Sequence, residues 1–566
     1  MKQAKKILAI FLSALMLLSV MTVGISATTA DDTIVIDQAA DWDAYKQADG
    51  SYLLPKDGKF TVTAQMETLS ANFNGNGSTI TTCVPLFYNV SGVTVENLTL
   101  EGNITATAKE TAAVLSEYTT NFATIKNVVN NANVSLANFE FGNATEGMGV
   151  AGLVGSTSGG TTTIENCINN GTITVHGKNI YASGIVGKIR NGFATIINCV
   201  NNGNIISTSD YDNNDGAGGI IGFIYGGKST VTITGCGNTG TISSKYLAAG
   251  IVARNYGRPN AISACYNTGS VSATGTAGIA GGIDATGTNA SLNYCWNKGE
   301  VTAAVYAAQI SAHGASSEML NNYYLDTFTT KAFAFASVDA TNDGATPFTA
   351  DDLASGKLAY DINTAAGAQL FFQNVNTIEG EPNDAYPVSD STHGHVFKTG
   401  DDTYGSLRFY TLTTASVRIS ANENERGIRF STAVNKKDFD ALNVEVDFGT
   451  LITPNDFLKD AQNDFNALAE GKYLDINSTA EGTDNFKTLK GEDNDTYYYF
   501  CGSITGIKPV NYDWDYSAVG YLTINGETVY STQYATRNIK FIAGEAVKDA
   551  ASYTEQELEY INTYLQ

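Results

Sequence analysis

Seven cysteines, four histidines and a few acidic loops carry whatever chemistry this 566-residue chain could perform. Five cysteines, Cys167, Cys199, Cys236, Cys265 and Cys295, form a spaced series, while Cys83 and Cys501 stand apart. Such a series suits a disulfide framework or a set of buried thiols. Cysteines stacked at one repeat position point the same way, which is poor bridging geometry, and a free thiol packs well as a small hydrophobe. Buried thiols are the expectation. His393-Gly394-His395 near Asp390 offers two ligands at i,i+2 without a third, too few for zinc, and reads as an ordinary strand. Asp210 to Gly216 and Asp339 to Gly344 resemble calcium loops, yet Ile221 and Ala350 stand where the bidentate Glu belongs, so both read as solvated turns. No metal or cofactor is expected. Polysaccharide cleavage would need a paired acid and base on one face. Between residues 86 and 325 there are 13 acidic and 10 basic residues, with no recurrent carboxylate pairing and one notable arginine pair, Arg254 with Arg258. No catalytic residue is assigned.

Binding has a better candidate. Tyr266, Trp296 and Tyr324 each lie one residue after the Cys position, or its equivalent, in three successive copies of a repeat. If the Cys faces inward, strand alternation turns these rings outward, where a ladder of aromatics would stack on sugars or dock a protein. The same rings could instead cover the end of the array, because terminal solenoid coils need capping.

The elements that must position these residues come from the repeat itself. Aligned on cysteine, the copies share an apolar residue three before, Asn two after, Gly four after and a β-branched residue six after, as in Ile164-Glu165-Asn166-Cys167-Ile168-Asn169-Asn170-Gly171-Thr172-Ile173. Val128, Leu98 and Tyr323 replace Cys in weaker copies, making about eight. A second phrase precedes most of them, as in Ala151-Gly152-Leu153-Val154-Gly155 and Ser183-Gly184-Ile185-Val186-Gly187. A period near 30 signals a solenoid whose units are stable only when stacked. Short runs of Val, Ile and Thr punctuated by Asn-x-Gly favour strands over helices, with three strands expected per coil. The recurring Asn is expected to bond its counterpart in the next coil and to tolerate left-handed backbone. The expected fold is mainly β: a right-handed parallel β-helix followed by a smaller β-rich, sandwich-like domain.

These phrases resemble the GLUG-motif repeats of secreted and surface-attached bacterial β-helix proteins, over roughly residues 32 to 397. Asn72 to Ile80 is similar to the lead-in of such arrays, and Asn322 to Asp326 through Tyr386-Pro387-Val388 to their exit. The resemblance implies an adhesive, scaffolding or substrate-binding module, sometimes fused to an enzyme.

The remaining segments are read by composition. Lys2, Lys5 and Lys6 before the apolar run Ile7 to Val23, with small residues after it, have the layout of an export leader over residues 1–30. With 33 basic against 57 acidic residues the chain carries a formal charge of -24, which disfavours a nucleic-acid partner. No later stretch is long and apolar enough to span a membrane, so the product is expected to be secreted or attached to the cell surface. Residues 31–85 read as the lead-in, 86–325 as the array, 326–400 as exit and linker, and 401–566 as a separate domain, marked off by a jump in charge density. Within that last domain, Asn525-Gly526 between two apolar runs signals a hairpin. Its phrases around Arg418, Gly427 to Phe430 and Phe448 to Pro454 resemble a module appended to secreted Firmicutes proteins. Arg418 and Arg429 near Asp447 and Asp456, and the loop Tyr512 to Tyr516, are weaker binding candidates. The function expected is a non-catalytic, exported binding or adhesion scaffold whose partner is an extracellular polysaccharide or a surface protein. The alternative is a polysaccharide lyase or glycoside hydrolase built on the β-helix.

Overall fold

The computed structural model describes residues 33–106, 111–142, 147–209, 215–226, 229–256, 260–286, 290–313, 318–335, 338–442, 444–478, 487–490 and 495–566. The leader expected at 1–30 lies outside them. Among the described residues no helix is long and apolar enough to cross a membrane.

One coil illustrates the rod. Thr161–Glu165 and Ile168–Asn169 lie on a front face, Ile173–Lys178 on a side, and Ile180–Ser183 and Val186–Arg190 form two arms. Each strand pairs in parallel with its counterparts in neighbouring coils, as Thr161–Glu165 does with Phe122–Asn130 before it and Phe193–Ile197 after it. The fold is therefore a parallel β-helix, with five short strands per coil instead of the three expected. The front splits where Asn166, like Asn198 in the next coil, adopts left-handed backbone. The arms split because the chain turns at the Gly-[Leu/Ile] step of the second phrase. Stacking runs from Ile34–Ile36 against Lys59–Val62 to Asn322–Leu325 against Ala345–Phe348, so parts of the lead-in and exit belong to the stack.

Register follows the cysteine alignment. Ile168 pairs with Val200 and Val200 with Gly237, which puts Cys167, Cys199 and Cys236 in one column, and Val128 pairs with Leu98. These residues join Ile125, Ile164, Ile196, Val154 and Val186 in one interior that extends from Ile36 to Phe333. Removing this continuous apolar surface from water stabilises the stack.

A buried asparagine ladder runs beside that interior. The Nδ2 group of each member donates to Oδ1 of the next, from Asn130 through Asn169, Asn201, Asn238 and Asn267 to Asn297, at 2.7 Å per step. Four inner members also donate to the carbonyl of the Gly two residues on. The expectation that one asparagine does both jobs is corrected: the ladder asparagine follows the cysteine by two, whereas the left-handed asparagine precedes it by one. The ladder explains why the two sequence phrases recur together. A Cβ added at Gly184 would collide with Asn201 Oδ1 and come 2.6 Å from the Gly219 carbonyl, and one at Gly250 would sit 2.6 Å from Asn267 Cγ. The glycine of one phrase makes room for the amide of the other.

Beyond the stack, Ala350–Ser355 and Lys357–Ala366 form a broken helix, opened by the Thr349 capping box and divided at left-handed Gly356. The C-terminal domain is an antiparallel sandwich. One sheet contains Phe409–Arg418, Gly427–Asn435, Thr496–Thr505 and Lys487–Lys490; the other contains Leu474–Asn477, Val446–Pro454, Tyr516–Ile524 and Glu527–Tyr530. Asn525 and Gly526, both at positive φ, make the expected hairpin turn. Phe409, Val434, Phe448, Phe500 and Leu522 fill the space between the sheets. Helices Ile539–Lys548 and Glu555–Asn562 pack Ile539, Ile542 and Ile561 against one end.

Candidate functional site

The aromatic column does face outward, but it does not face solvent. Tyr266 and Trp296 stack at 5.2 Å with ring planes 11° apart. They are covered by Phe348, Phe371 and Tyr386 from the exit segment. Trp296 is fully buried and Tyr266 nearly so. Burial pushes the Tyr266 hydroxyl to a higher pKa. Lys298 Nζ lies 4.7 Å above the Tyr386 ring, and Ser389 Oγ donates to the Gly235 carbonyl, tying the exit segment down along the same face. Tyr324 is not in the column. Trp296 pairs with Tyr323, so Asn322 takes the Cys position and Tyr324 turns into the rod interior. The exposed strip expected of Tyr266, Trp296 and Tyr324 is therefore corrected: two of the rings are the apolar seat of the exit segment and the third is core.

The other sequence candidates are also separated by the fold. The five repeat cysteines are free and buried, each Sγ lying 3.3–3.6 Å from the carbonyl two residues earlier. For Cys167, Cys199, Cys236 and Cys265, burial pushes the thiol pKa well up. His393 Nδ1 sits 2.7 Å from Asp384 Oδ2, and that hydrogen bond raises its pKa. His395 is fully buried between Phe372 and Phe409, and desolvation lowers its pKa to about 3. The two histidines thus serve different environments. Asp210 to Asn214 and Arg258 lie outside the described residues, among which no group of three His, Cys, Asp or Glu could hold a metal. Arg254 is buried between the two arms, stacked over Tyr256 at 4.3 Å and Phe223 at 5.0 Å and donating to the Tyr181 hydroxyl. Lys188 nearby donates to the Gly147 carbonyl at 2.9 Å. This cluster cements the arms.

In the C-terminal domain, no ion pair among the described residues joins Arg418 or Arg429 to Asp447 or Asp456. Asp456 pairs with Lys459 at 3.5 Å. Tyr512 packs on Tyr564 and Tyr516 is buried, leaving Trp514 as the exposed ring of that loop. Arg408 holds Asp438 through two bonds of 2.8 and 2.9 Å and reaches Glu381 at 3.1 Å, which locks the exit segment to the sandwich. Two carboxyls have pKa values raised by burial to about 7: Asp215, 3.2 Å from Ser244 Oγ, and Asp284, fully buried.

What the sequence reading missed lies on the front face. Phe122, Thr161, Phe193 and Thr230 pair in one column at the start of four consecutive front strands. Phe122 is 75% exposed and Phe193 58%. Beside them runs a second column, Thr124, Thr163, Thr195 and Thr232, through the same pairings. Of the side chains on Phe122–Asn130, Thr161–Glu165, Phe193–Ile197 and Thr230–Thr234, only Lys126 and Glu165 are charged. Lys126 is paired with Glu96 at 2.9 Å. The signal was present: both phenylalanines stand six residues before the Cys position, where alternation with buried Ala and Ile places a side chain outside.

Neither a family model nor a curated protein matches the chain. Among solved structures, that of a candidate immunoglobulin A1 protease from Bacteroides ovatus covers 61% of this chain and 94% of its own, at 16% identity and a TM-score of 0.33. Likeness at that level carries no functional argument, and what the geometry presents is a parallel β-helix whose front face is nearly uncharged over four consecutive coils, with a sandwich fixed to its far end.

Proposed function

We propose that the protein is an exported, non-catalytic binding scaffold: a stiff rod whose front face recognises extracellular material, carrying the C-terminal sandwich as a fixed head. The observation that supports this most directly is the front face, where four consecutive coils turn hydroxyls and two phenylalanine rings to solvent. The carboxyls with near-neutral pKa values, which general acid chemistry would need, lie inside the stack and away from that face. The resemblance of the repeat to GLUG-motif arrays, the Lys-led leader and the Firmicutes-like phrases of the last domain support a secreted or surface location. The partner is expected to be a polysaccharide or a surface protein.

The test is to present the purified protein to arrays of cell-surface glycans and proteins, with assays for reducing ends and unsaturated sugars run on the same samples. Retention without product is expected. Turnover that vanishes when one acidic pair is replaced would overturn the proposal.

A further inference from the structure

The front face carries more detail than a generic binding surface, and this step rests on the reading just given. Its first column alternates ring, hydroxyl, ring, hydroxyl along the rod axis. Adjacent parallel strands are about 4.8 Å apart, so Phe122 and Phe193, two coils apart, are separated by about 9.6 Å. The neighbouring threonine column lies about 6.6 Å along the strand direction, two residues further on. Both columns are straight because every pairing between these strands is in register.

A protein partner usually seats on a contiguous apolar patch with a desolvated centre. Here Thr161 separates the two rings, and the adjoining column is threonine throughout. A flat chain of pyranose rings has the complementary pattern, with apolar C–H faces that lie on aromatic rings and hydroxyl edges that bond to Ser and Thr. In an extended β-1,4-linked chain successive rings are flipped, so every second ring presents the same face, and that two-residue repeat falls in the range set by two coils. The nearly neutral surface favours a neutral chain, because an anionic polymer would find no cationic row to pair with among these strands.

We infer that Phe122, Phe193 and the two threonine columns form a binding site for a neutral, extended β-1,4-linked polysaccharide lying along the rod axis. One sugar ring rests on Phe122 and the second ring beyond it rests on Phe193, with Thr161 and the column Thr124, Thr163, Thr195 and Thr232 meeting the hydroxyls between and beside them.

The experiment is calorimetric titration of the purified full-length protein with cello- and manno-oligosaccharides of two to six residues, with maltohexaose and polygalacturonate as comparators. Affinity for the β-linked chains should rise at least five-fold between the disaccharide and the tetrasaccharide, as the second ring is engaged. Phe122→Ala and Phe193→Ala should each lose at least five-fold on the hexasaccharide and no longer distinguish chain lengths. Thr163→Val should weaken binding while keeping the length dependence. Both phenylalanines are exposed, so the variants should fold, and continued protection of the five buried thiols checks that they do. Absence of binding to every β-linked chain, or binding that ignores both phenylalanine substitutions, overturns the inference. If retention of a surface protein depends on Phe122 and Phe193 while no glycan binds, this inference fails and the scaffold reading stands. If the array shows no retention of anything, both fail.

Discussion

Asp284 occupies a position that should be valine. Its backbone continues the inward column Val154, Val186, Ile221 and Val252, and the column ends in Ser311 and Phe333. The carboxyl is fully buried with no hydrogen-bond partner for either oxygen, and desolvation raises its pKa from 3.8 to about 7, opposed only by the nearby Thr286 backbone N–H. Between those two values the folded protein keeps a proton that the unfolded chain releases. Stability therefore falls as pH rises from about 4 to about 7 and is flat with respect to this group above that. A difference of about 3 pKa units at about 1.4 kcal/mol each puts the loss at about 4 kcal/mol, an upper value. Asp284→Val removes both the titration and the desolvation cost and restores the column. The assay is urea unfolding followed by tryptophan fluorescence at pH 4.5, 6.0 and 7.5, in a Trp514→Phe background so that Trp42 and Trp296 report on the rod alone. Subtracting the Asp284 protein from the Asp284→Val protein at each pH cancels the other acids. The difference should be small at pH 4.5 and grow by several kcal/mol towards pH 7.5. A difference that does not change with pH, or a valine variant that is less stable at pH 7.5, would refute the reasoning.

Other consequences are equally open to measurement. Asn201→Ala leaves the Asn169 amide with one of its two acceptors, and Asn238 Oδ1 and the Gly203 carbonyl without their Asn201 donor, so a loss of roughly 2–4 kcal/mol is expected in the same unfolding assay. Gly184→Ala should be worse still and yield little folded protein, whereas Gly142→Ala, with open space around the added methyl, should be neutral within about 0.5 kcal/mol. Thiol titration of the native protein should modify Cys83 and Cys501 quickly and the five repeat cysteines only on unfolding. Trp296→Ala should leave the coil stack intact but loosen its covering, so that limited proteolysis cuts between residues 349 and 395 several times faster than in the parent protein.

The repeat was legible because each of its letters answers to one contact. Cysteine marks the inward column, the next-but-one asparagine the ladder, and glycine the room that ladder requires. Reading failed where the letters change. Tyr323 was aligned with the cysteines, yet Asn321, at positive φ, holds the place of Asn166 and Asn198, which moves Asn322 into the column. Asn322 then accepts from the Cys295 N–H and donates to the Leu292 carbonyl, the backbone groups that the cysteine thiols meet in earlier coils, as Cys295 Sγ does with the Cys265 N–H and the Ile262 carbonyl. Of the two readings open for the outward rings, Tyr266 and Trp296 follow the one in which they are covered at the end of the array; alternation gave their direction, and only tertiary folding says which residues cover them. The helix Asn455–Asp460 is short because Gln462 and Asn463, just beyond it, are both in left-handed backbone. Helices Lys436–Ala441 and Glu555–Asn562 open on side-chain caps, Asn435 and the Thr554 capping box.

The asparagine ladder has a direction. All its amides donate towards the C-terminal coils, so an interior member is interchangeable with its neighbours while the two ends are not. At the first end Asn130 Oδ1 takes the Ala132 N–H, and at the last end the amide of Asn297 reaches Gln309 Oε1 at 2.6 Å. Gln309 stands where earlier coils have the glycine of the second phrase. A gene that duplicated or lost one interior coil would therefore leave both terminators intact and every amide still matched. Rod length is thus a quantity that recombination can tune in single steps of one coil, without redesigning the seat of the exit segment.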